Sequence, residues 1–264
     1  TNYTALSLPG TSGLVVTPVL TGLSAQNYSF SAVSGTVNVG RKTLTVNGSV
    51  AAGKIYDGTT TVNISGGTLV GVVGSDVVAL TQTGSFVDRN VSRTSASDTN
   101  ALPKSIVASF TISGADTFKY TLQQPILSAK IHCRRLTVTA LSFSKTYDGT
   151  LTCPLSPSIT TGAIQAGDVA TFVQEYATKN VGTNITLQPS GAVNDGNSGY
   201  NYFCSFVDRN IGIITPAAIT ITATGPQKQY GTALTSTISL SNFTVEDLPA
   251  SDTVLQVTLT PDVA

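Results

Sequence analysis

The sequence predicts an all-β chain, built as tandem β-sandwich domains in an elongated array, and three observations predict it. A short segment recurs: Lys54-Ile55-Tyr56-Asp57-Gly58-Thr59, Lys145-Thr146-Tyr147-Asp148-Gly149-Thr150 and, shortened, Lys228-Gln229-Tyr230-Gly231-Thr232. Each copy follows an alternating run, Leu44-Thr45-Val46, Leu136-Thr137-Val138 and Ile219-Thr220-Ile221, the period-two signature of a half-buried strand. A second marker keeps the same register. The head tyrosines are 91 and 83 residues apart, and the tail tyrosines Tyr28, Tyr120 and Tyr202 are 92 and 82 apart. A repeat of that length is one small module, large enough to bury its own core.

Composition agrees with strands. Only 11% of the 264 residues are charged, against about 25% in an average globular domain. Met and Trp are absent, and Thr, Ser, Val, Ile and Gly are plentiful, which suits sheets with hydroxyl-bearing outer faces. The formal net charge is zero, from 14 basic and 14 acidic side chains, so no basic field for nucleic acid exists. No run approaches the roughly 18 apolar residues of a membrane helix.

Taken in order, residues 1–42 read as the C-terminal half of a repeat, with strands at Gly13-Leu14-Val15-Val16, Gln26-Asn27-Tyr28-Ser29-Phe30 and Gly35-Thr36-Val37-Asn38-Val39. Residues 43–134 read as a complete repeat. Its strand candidates are Thr61-Val62-Asn63-Ile64, Val77-Val78-Ala79-Leu80 and 105–112, with a polar, loop-like insertion at 92–104. Residues 135–217 form a second complete repeat. Gly74-Ser75-Asp76 corresponds to Ala166-Gly167-Asp168, and Phe86 to Tyr176. Residues 218–264 read as the N-terminal half of a further repeat. The partial repeats are complementary: either the sequence is a window on a longer array, or one molecule's tail half completes the next molecule's head half by strand addition.

Chemistry-bearing residues are sparse. His132 is the sole histidine and has no HxxxH or CxxC companion for zinc. Adjacent strand residues point to opposite faces, so His132 and Cys133 make a poor catalytic pair. There are twelve Asp and two Glu, Glu175 and Glu246; paired carboxylates cleave glycosides, which keeps a carboxylate-based glycoside-processing enzyme as a remote alternative. Most Asp and Asn flank Gly instead, as turn formation requires. Asn194-Asp195-Gly196-Asn197-Ser198-Gly199 has oxygen ligands suited to Ca2+ but lacks the EF-hand spacing; no other cofactor is called for. Cys153 and Cys204, at opposite ends of one repeat, are placed for a disulfide across a sandwich. Lys145, Glu175 and Asn180 form a set to inspect for an isopeptide cross-link. Seven Asn-x-Ser/Thr sequons, at Asn2, Asn27, Asn47, Asn63, Asn90, Asn184 and Asn242, matter only on a glycosylating secretory route.

For the head motif a structural role is expected at Lys54, Tyr56, Asp57, Gly58, Lys145, Tyr147, Asp148, Gly149, Tyr230 and Gly231. Asp-Gly supplies the positive φ of a tight turn. The tyrosine lays an apolar ring on the sandwich with its hydroxyl bonded, and the lysine is an edge charge.

Lys-x-Tyr-Asp-Gly-Thr after a Leu-Thr-Val strand resembles the YDG repeats, and related glycine-rich, mostly-β MBG repeats, of large bacterial surface and secreted adhesins such as filamentous-haemagglutinin-like proteins. Residues 43–134 and 135–217 resemble the YDG type, and 218–264 the MBG type with Tyr-Gly in place of Tyr-Asp-Gly. The resemblance implies immunoglobulin-like β-sandwich domains in an extracellular, cell-surface or secreted stalk or fibre, without enzymatic activity. It implies neighbouring repeats or other copies of the chain as partners, with no nucleic acid and no membrane insertion. The alternative function is an adhesive module for a surface glycan or protein receptor.

Overall fold

The computed structural model describes residues 7–19, 21, 31–225, 229–231, 235, 237–239 and 241–260. The expected strand at 26–30, with Tyr28, and the flanks Lys228 and Thr232 of the third head motif lie outside them. The chain divides into two compact units, Thr1–Cys133 and Arg134–Ala264.

In the first unit, a ribbon of β1 (Leu14–Val16) and β2 (Gly35–Val37) precedes β3 (Lys42–Asn47), β4 (Val50–Ala51), β5 (Lys54–Ile55) and β6 (Ile64–Ser65). Next come β7 (Thr68–Val70), β8 (Ala79–Thr81), β9 (Gly84–Phe86), β10 (Pro103–Ala108) and β11 (Thr111–Ser113). A 3-10 turn at Thr117–Lys119 leads into β12 (Tyr120–Leu122) and β13 (Leu127–His132). One sheet has the order β12-β3-β7 and the other β5-β13-β10-β9, with β8 paired to β11 and β4 to β6. Side-chain alternation drives this arrangement. Leu44 of β3 and Ile131 of β13 have no exposed surface, and Phe86, Phe110, Ile106 and Tyr120 join them in the core. A buried Leu, Ile or Phe stabilises by about 1.5–3 kcal/mol, so a few such residues carry a module this small.

The second unit repeats the plan with longer strands: β14 (Arg134–Thr139), β15 (Ser144–Thr146), β16 (Thr152–Cys153), β17 (Ser158–Thr161), β18 (Val169–Tyr176), β19 (Gly182–Asn194), β20 (Tyr202–Val207) and β21 (Arg209–Thr215). Its sheets have the orders β17-β14-β20 and β15-β21-β19-β18-β16. Two ribbons follow, from β22 (Thr220–Ala223), β23 (Thr237–Ser239), β24 (Phe243–Glu246) and β25 (Val257–Leu259), paired β22 with β24 and β23 with β25. Ala140, Tyr176, Ile185, Leu187 and Ile214 form one buried cluster, with Phe143, Tyr147, Cys153 and Ile211 packed against it.

The fold is almost all-β and β-sandwich-like. It adds a feature that an antiparallel immunoglobulin sandwich does not require. The first strand is parallel to the penultimate one, β3 to β12 and β14 to β20. The head-motif strand is parallel to the last, β5 to β13 and β15 to β21. Parallel partners need long crossovers, which is why the pairing joins opposite ends of each repeat.

Several expected elements shift. The strand expected over 105–112 breaks into β10 and β11, because the Gln124 amide accepts from Phe110 N–H (2.8 Å) and donates to its C=O (2.9 Å). Part of the insertion at 92–104 is core: Ala101 and Arg93 are buried, and Lys104 belongs to β10. None of Cys133, Cys153 and Cys204 is disulfide-bonded, so the Cys153–Cys204 bond is not formed. Cys153 lies on β16, at the edge of the five-stranded sheet, and Cys204 on β20, in the other sheet.

Candidate functional site

The repeated head turn is built around a lysine. Lys54 ends up on β5 and Lys145 on β15, so each parallel pairing with the last strand sets the lysine beside the turn that follows it. Lys54 Nζ donates to Asp57 Oδ1 (2.8 Å), the Thr59 carbonyl (2.7 Å) and Thr59 Oγ1 (2.9 Å). Lys145 Nζ donates to Asp148 Oδ1 (2.8 Å), the Thr150 carbonyl (2.9 Å) and Thr150 Oγ1 (3.2 Å). Both ammonium groups lie over an aromatic ring at the corresponding position: Phe86 at 5.6 Å and Tyr176 at 5.2 Å, within cation–π range. The lysine does lie on an edge strand in both units, but its ammonium turns inward. Its side chain is 17% exposed at Lys54 and 9% at Lys145, and its three protons are spent inside the turn.

The carboxylate completes the knot. Asp57 Oδ1 also accepts from Thr59 N–H and Thr59 Oγ1, both at 2.9 Å. Asp148 Oδ1 accepts from Thr150 N–H and Oγ1 at the same distances. These are Asx turns, in which a short acceptor side chain bonds backbone two residues on. Gly58 and Gly149 follow with φ of 78° and 74°, a region that other residues enter at a cost. The Lys145 hydrogen bond, with Thr150 N–H and hydroxyl, holds the Asp148 carboxyl down at about 2. At Asp57, burial pushes the carboxyl up, but the bonds from Lys54 and Thr59 outweigh it and the net displacement is downward.

The tyrosines diverge. Tyr56 N–H donates to the His132 carbonyl and Tyr147 N–H to the Thr215 carbonyl, both at 2.8 Å. Tyr56 has no exposed surface, whereas the Tyr147 hydroxyl donates to Asp252 Oδ2 at 2.6 Å. The bond to Asp252, aided by burial, pushes the Tyr147 phenol above its usual range, and the same bond pulls Asp252 down. Tyr230 is fully exposed and Gly231 has φ 84°.

A second repeated constellation was not anticipated. In the first unit the Tyr120 hydroxyl accepts from Val73 N–H (2.9 Å) and donates to Asp76 Oδ2 (2.6 Å). In the second unit the Tyr202 hydroxyl accepts from Gln165 N–H (2.8 Å) and donates to Asp168 Oδ2 (2.7 Å). The tail tyrosine therefore clamps the aspartate turn of its own repeat. The signal was present in the sequence, because the tyrosine and aspartate markers share one period, but spacing alone does not say that two markers touch.

The remaining candidates are placed as follows. His132 is exposed and Cys133 buried. Glu175 is exposed on β18, and Lys145 is committed to its turn, so the isopeptide set is not assembled. Asp195 is 2% exposed; its Oδ1 accepts from Asn197 and Gly199 N–H, and its Oδ2 from Asn201 N–H. That carboxylate caps its own loop. A cavity of about 520 Å3 lies against Lys119 and Tyr120, and Asp76 is the sole carboxylate among its lining residues. Among the described residues no group of three or more His, Cys, Asp or Glu comes together to hold a metal, and no helix is long and apolar enough to cross a membrane.

The family model described as YDG domain matches residues 40–126 and again 132–208. Comparisons with curated proteins and with solved structures gave no match. The two matched segments cover more than half of the chain, and each contains one Lys–Asp–Thr knot. The chain belongs to the YDG domain family, a mostly-β module typical of bacterial surface adhesin repeats.

Proposed function

We propose that this YDG-family chain is a structural stalk or fibre segment of an extracellular bacterial adhesin or surface filament. In this reading 43–134 and 135–217 are complete immunoglobulin-like β-sandwich modules of a tandem array. Residues 1–42 and 218–264 are the C-terminal and N-terminal parts of neighbouring modules, completed by other modules or other copies of the chain. One observation carries the reading: the repeated residues are consumed by the fold. Lys54 and Lys145 satisfy their own turns, and Tyr120 and Tyr202 satisfy the aspartates of their own repeats. A motif kept for ligand or catalysis would aim such groups at a reacting atom or partner. Here they brace turns of their own module, whose ends are tied by parallel strand pairing, as a stalk repeat under tension needs. The extracellular setting is supported by the family's occurrence in surface adhesins.

The purified chain, immobilised and probed with arrayed glycans and extracellular-matrix proteins, tests this directly. A structural segment binds none of them above an unrelated β-sandwich control. Saturable binding, abolished by mutation of a surface patch on one module, would establish the adhesive alternative instead.

A further inference from the structure

Tyr147 stands where its module hands the chain over to the residues that follow. Its N–H donates to the carbonyl of Thr215, the last residue of β21, at 2.8 Å. Residues 216–219 alone then separate β21 from β22. Tyr56 has the same place in the first unit, donating its N–H to the carbonyl of His132, the last residue of β13. The head tyrosine is therefore fixed by its backbone at the exit of its own module. The Tyr147 side chain packs against the buried cluster that includes Tyr176, Leu187 and Ile214. Its hydroxyl reaches past that cluster to Asp252 Oδ2 at 2.6 Å.

We propose that the head turn of 135–217 is a docking face for the aspartate turn Pro249-Ala250-Ser251-Asp252, and that Tyr147 locks this joint between one repeat and the next. The proposal rests on the modular reading above and adds how consecutive modules are held at a fixed angle. Both partners lie within the second compact unit. Two elements of 135–217 meet the turn. In the head turn, Tyr147 donates to Asp252, and a Cβ on Gly149 would come within 2.2 Å of Ser251 Oγ and 3.6 Å of Pro249 Cβ. In the connection between β18 and β19, Lys179 brings its Nζ to 3.9 Å from Asp252 Oδ1. The turn is itself preorganised, since Asp252 N–H donates to the Pro249 carbonyl at 2.9 Å and Ser251 Oγ to Asp252 Oδ1 at 3.1 Å.

Modules joined by a linker alone move relative to one another. A second attachment beside the linker removes that freedom, and Tyr147 supplies it from the residue already bonded to the linker's start. The bond is charge-assisted and short, and the tether makes it intramolecular, so a single contact is populated at high effective concentration. Tyrosine suits the task because its ring is seated in its own module, leaving the hydroxyl little freedom to lose. The aspartate has capacity for both uses seen in this chain. Asp76 and Asp168 take the tail tyrosine of their own repeat, whereas Asp252 takes the head tyrosine of the repeat before it. A carboxylate has about four acceptor positions, and Asp76 takes Tyr120 and Lys119 together, so one such aspartate can serve its own repeat and its neighbour.

Residual dipolar couplings of the full chain, weakly aligned, test the joint by comparing the amides of β14, β19 and β21 with those of β22 and β24. One alignment tensor is expected to fit both sets in the native chain. Tyr147→Phe removes the hydroxyl and keeps the ring, and is expected to split the sets and reduce the β22 and β24 couplings at least about twofold. Asp252→Ala should give the same split, and the double variant no more than either single one. Separate tensors in the native chain, a single tensor kept in Tyr147→Phe or Asp252→Ala, or additive effects in the double variant each overturns the proposal. Where Tyr147→Phe lowers amide protection inside 135–217, Asp252→Ala, which lies outside it, decides. Amide exchange of the native chain separates the two readings. Protected β14, β19 and β21 leave the modules standing when the joint fails, whereas loss of that protection overturns the modules themselves.

Discussion

Lys145 shows how one residue holds the head turn of a module together. Its ammonium is nearly withdrawn from solvent, yet every proton is donated within the turn. Lys145→Met keeps the aliphatic stem but removes the ammonium donor from the Thr150 carbonyl and from Asp148, which keeps only its Thr150 donors. The expected loss is about 1–3 kcal/mol in urea unfolding. The same turn sets an acid limit. The folded Asp148 carboxyl sits near 2, below its ordinary value of 3.8, so its contribution is complete above about pH 4 and disappears as pH falls through about 2. Urea midpoints measured between pH 5 and 2 should fall over that window, and Asp148→Asn should start lower and flatten the curve. Lys-x-Tyr-Asp-Gly-Thr was legible as a turn at this scale. Its lysine was not legible as an internal donor, because sequence gives neither its ring partner nor the carbonyl of a residue five positions on.

At the level of the element, side-chain amides do the work of missing strand partners. Gln174 is 1% exposed on β18; its Oε1 accepts from Leu141 N–H and its Nε2 donates to the Leu141 carbonyl, both at 2.9 Å. The amide imitates one peptide of a neighbouring strand where the chain passes from β14 to β15. Gln174→Leu keeps the volume and abandons both backbone groups, so chemical denaturation should show a loss of about 1–3 kcal/mol. Gln174→Glu should recover little, since a carboxylate still accepts from the Leu141 N–H but has no donor for the Leu141 carbonyl and meets it with repulsion. Strand sites such as Leu136–Val138 were readable from alternation. The break between β10 and β11 was not, since it depends on Gln124, which comes 14 residues after the Phe110 that it bonds. Long β19 tolerates Pro189 because pairing with β21 ends at Leu187, leaving no ladder bond on that side to lose. Gly191, opposite Phe172 at φ 127°, has no room for a Cβ, which would meet the Thr171 carbonyl at 2.2 Å.

Across the whole molecule, the central proposal is that 43–134 and 135–217 are independent modules, each with its ends tied by parallel pairing. The period was visible in two tyrosine series, but the parallel connection was hidden, because alternating patterns look alike in parallel and antiparallel strands. That connection sets the mechanical geometry. Pulling on a module from its two ends is expected to load the parallel β15–β21 and β14–β20 pairs lengthwise, in shear. Single-molecule stretching of the full chain between terminal handles tests this most directly. The account expects two separate unfolding events for 43–134 and 135–217, each releasing roughly 300 Å at about 3.4 Å per residue. Lys145→Met should weaken the second event alone. A single cooperative rupture of the whole chain, or a force profile with no discrete step of that length, would contradict it.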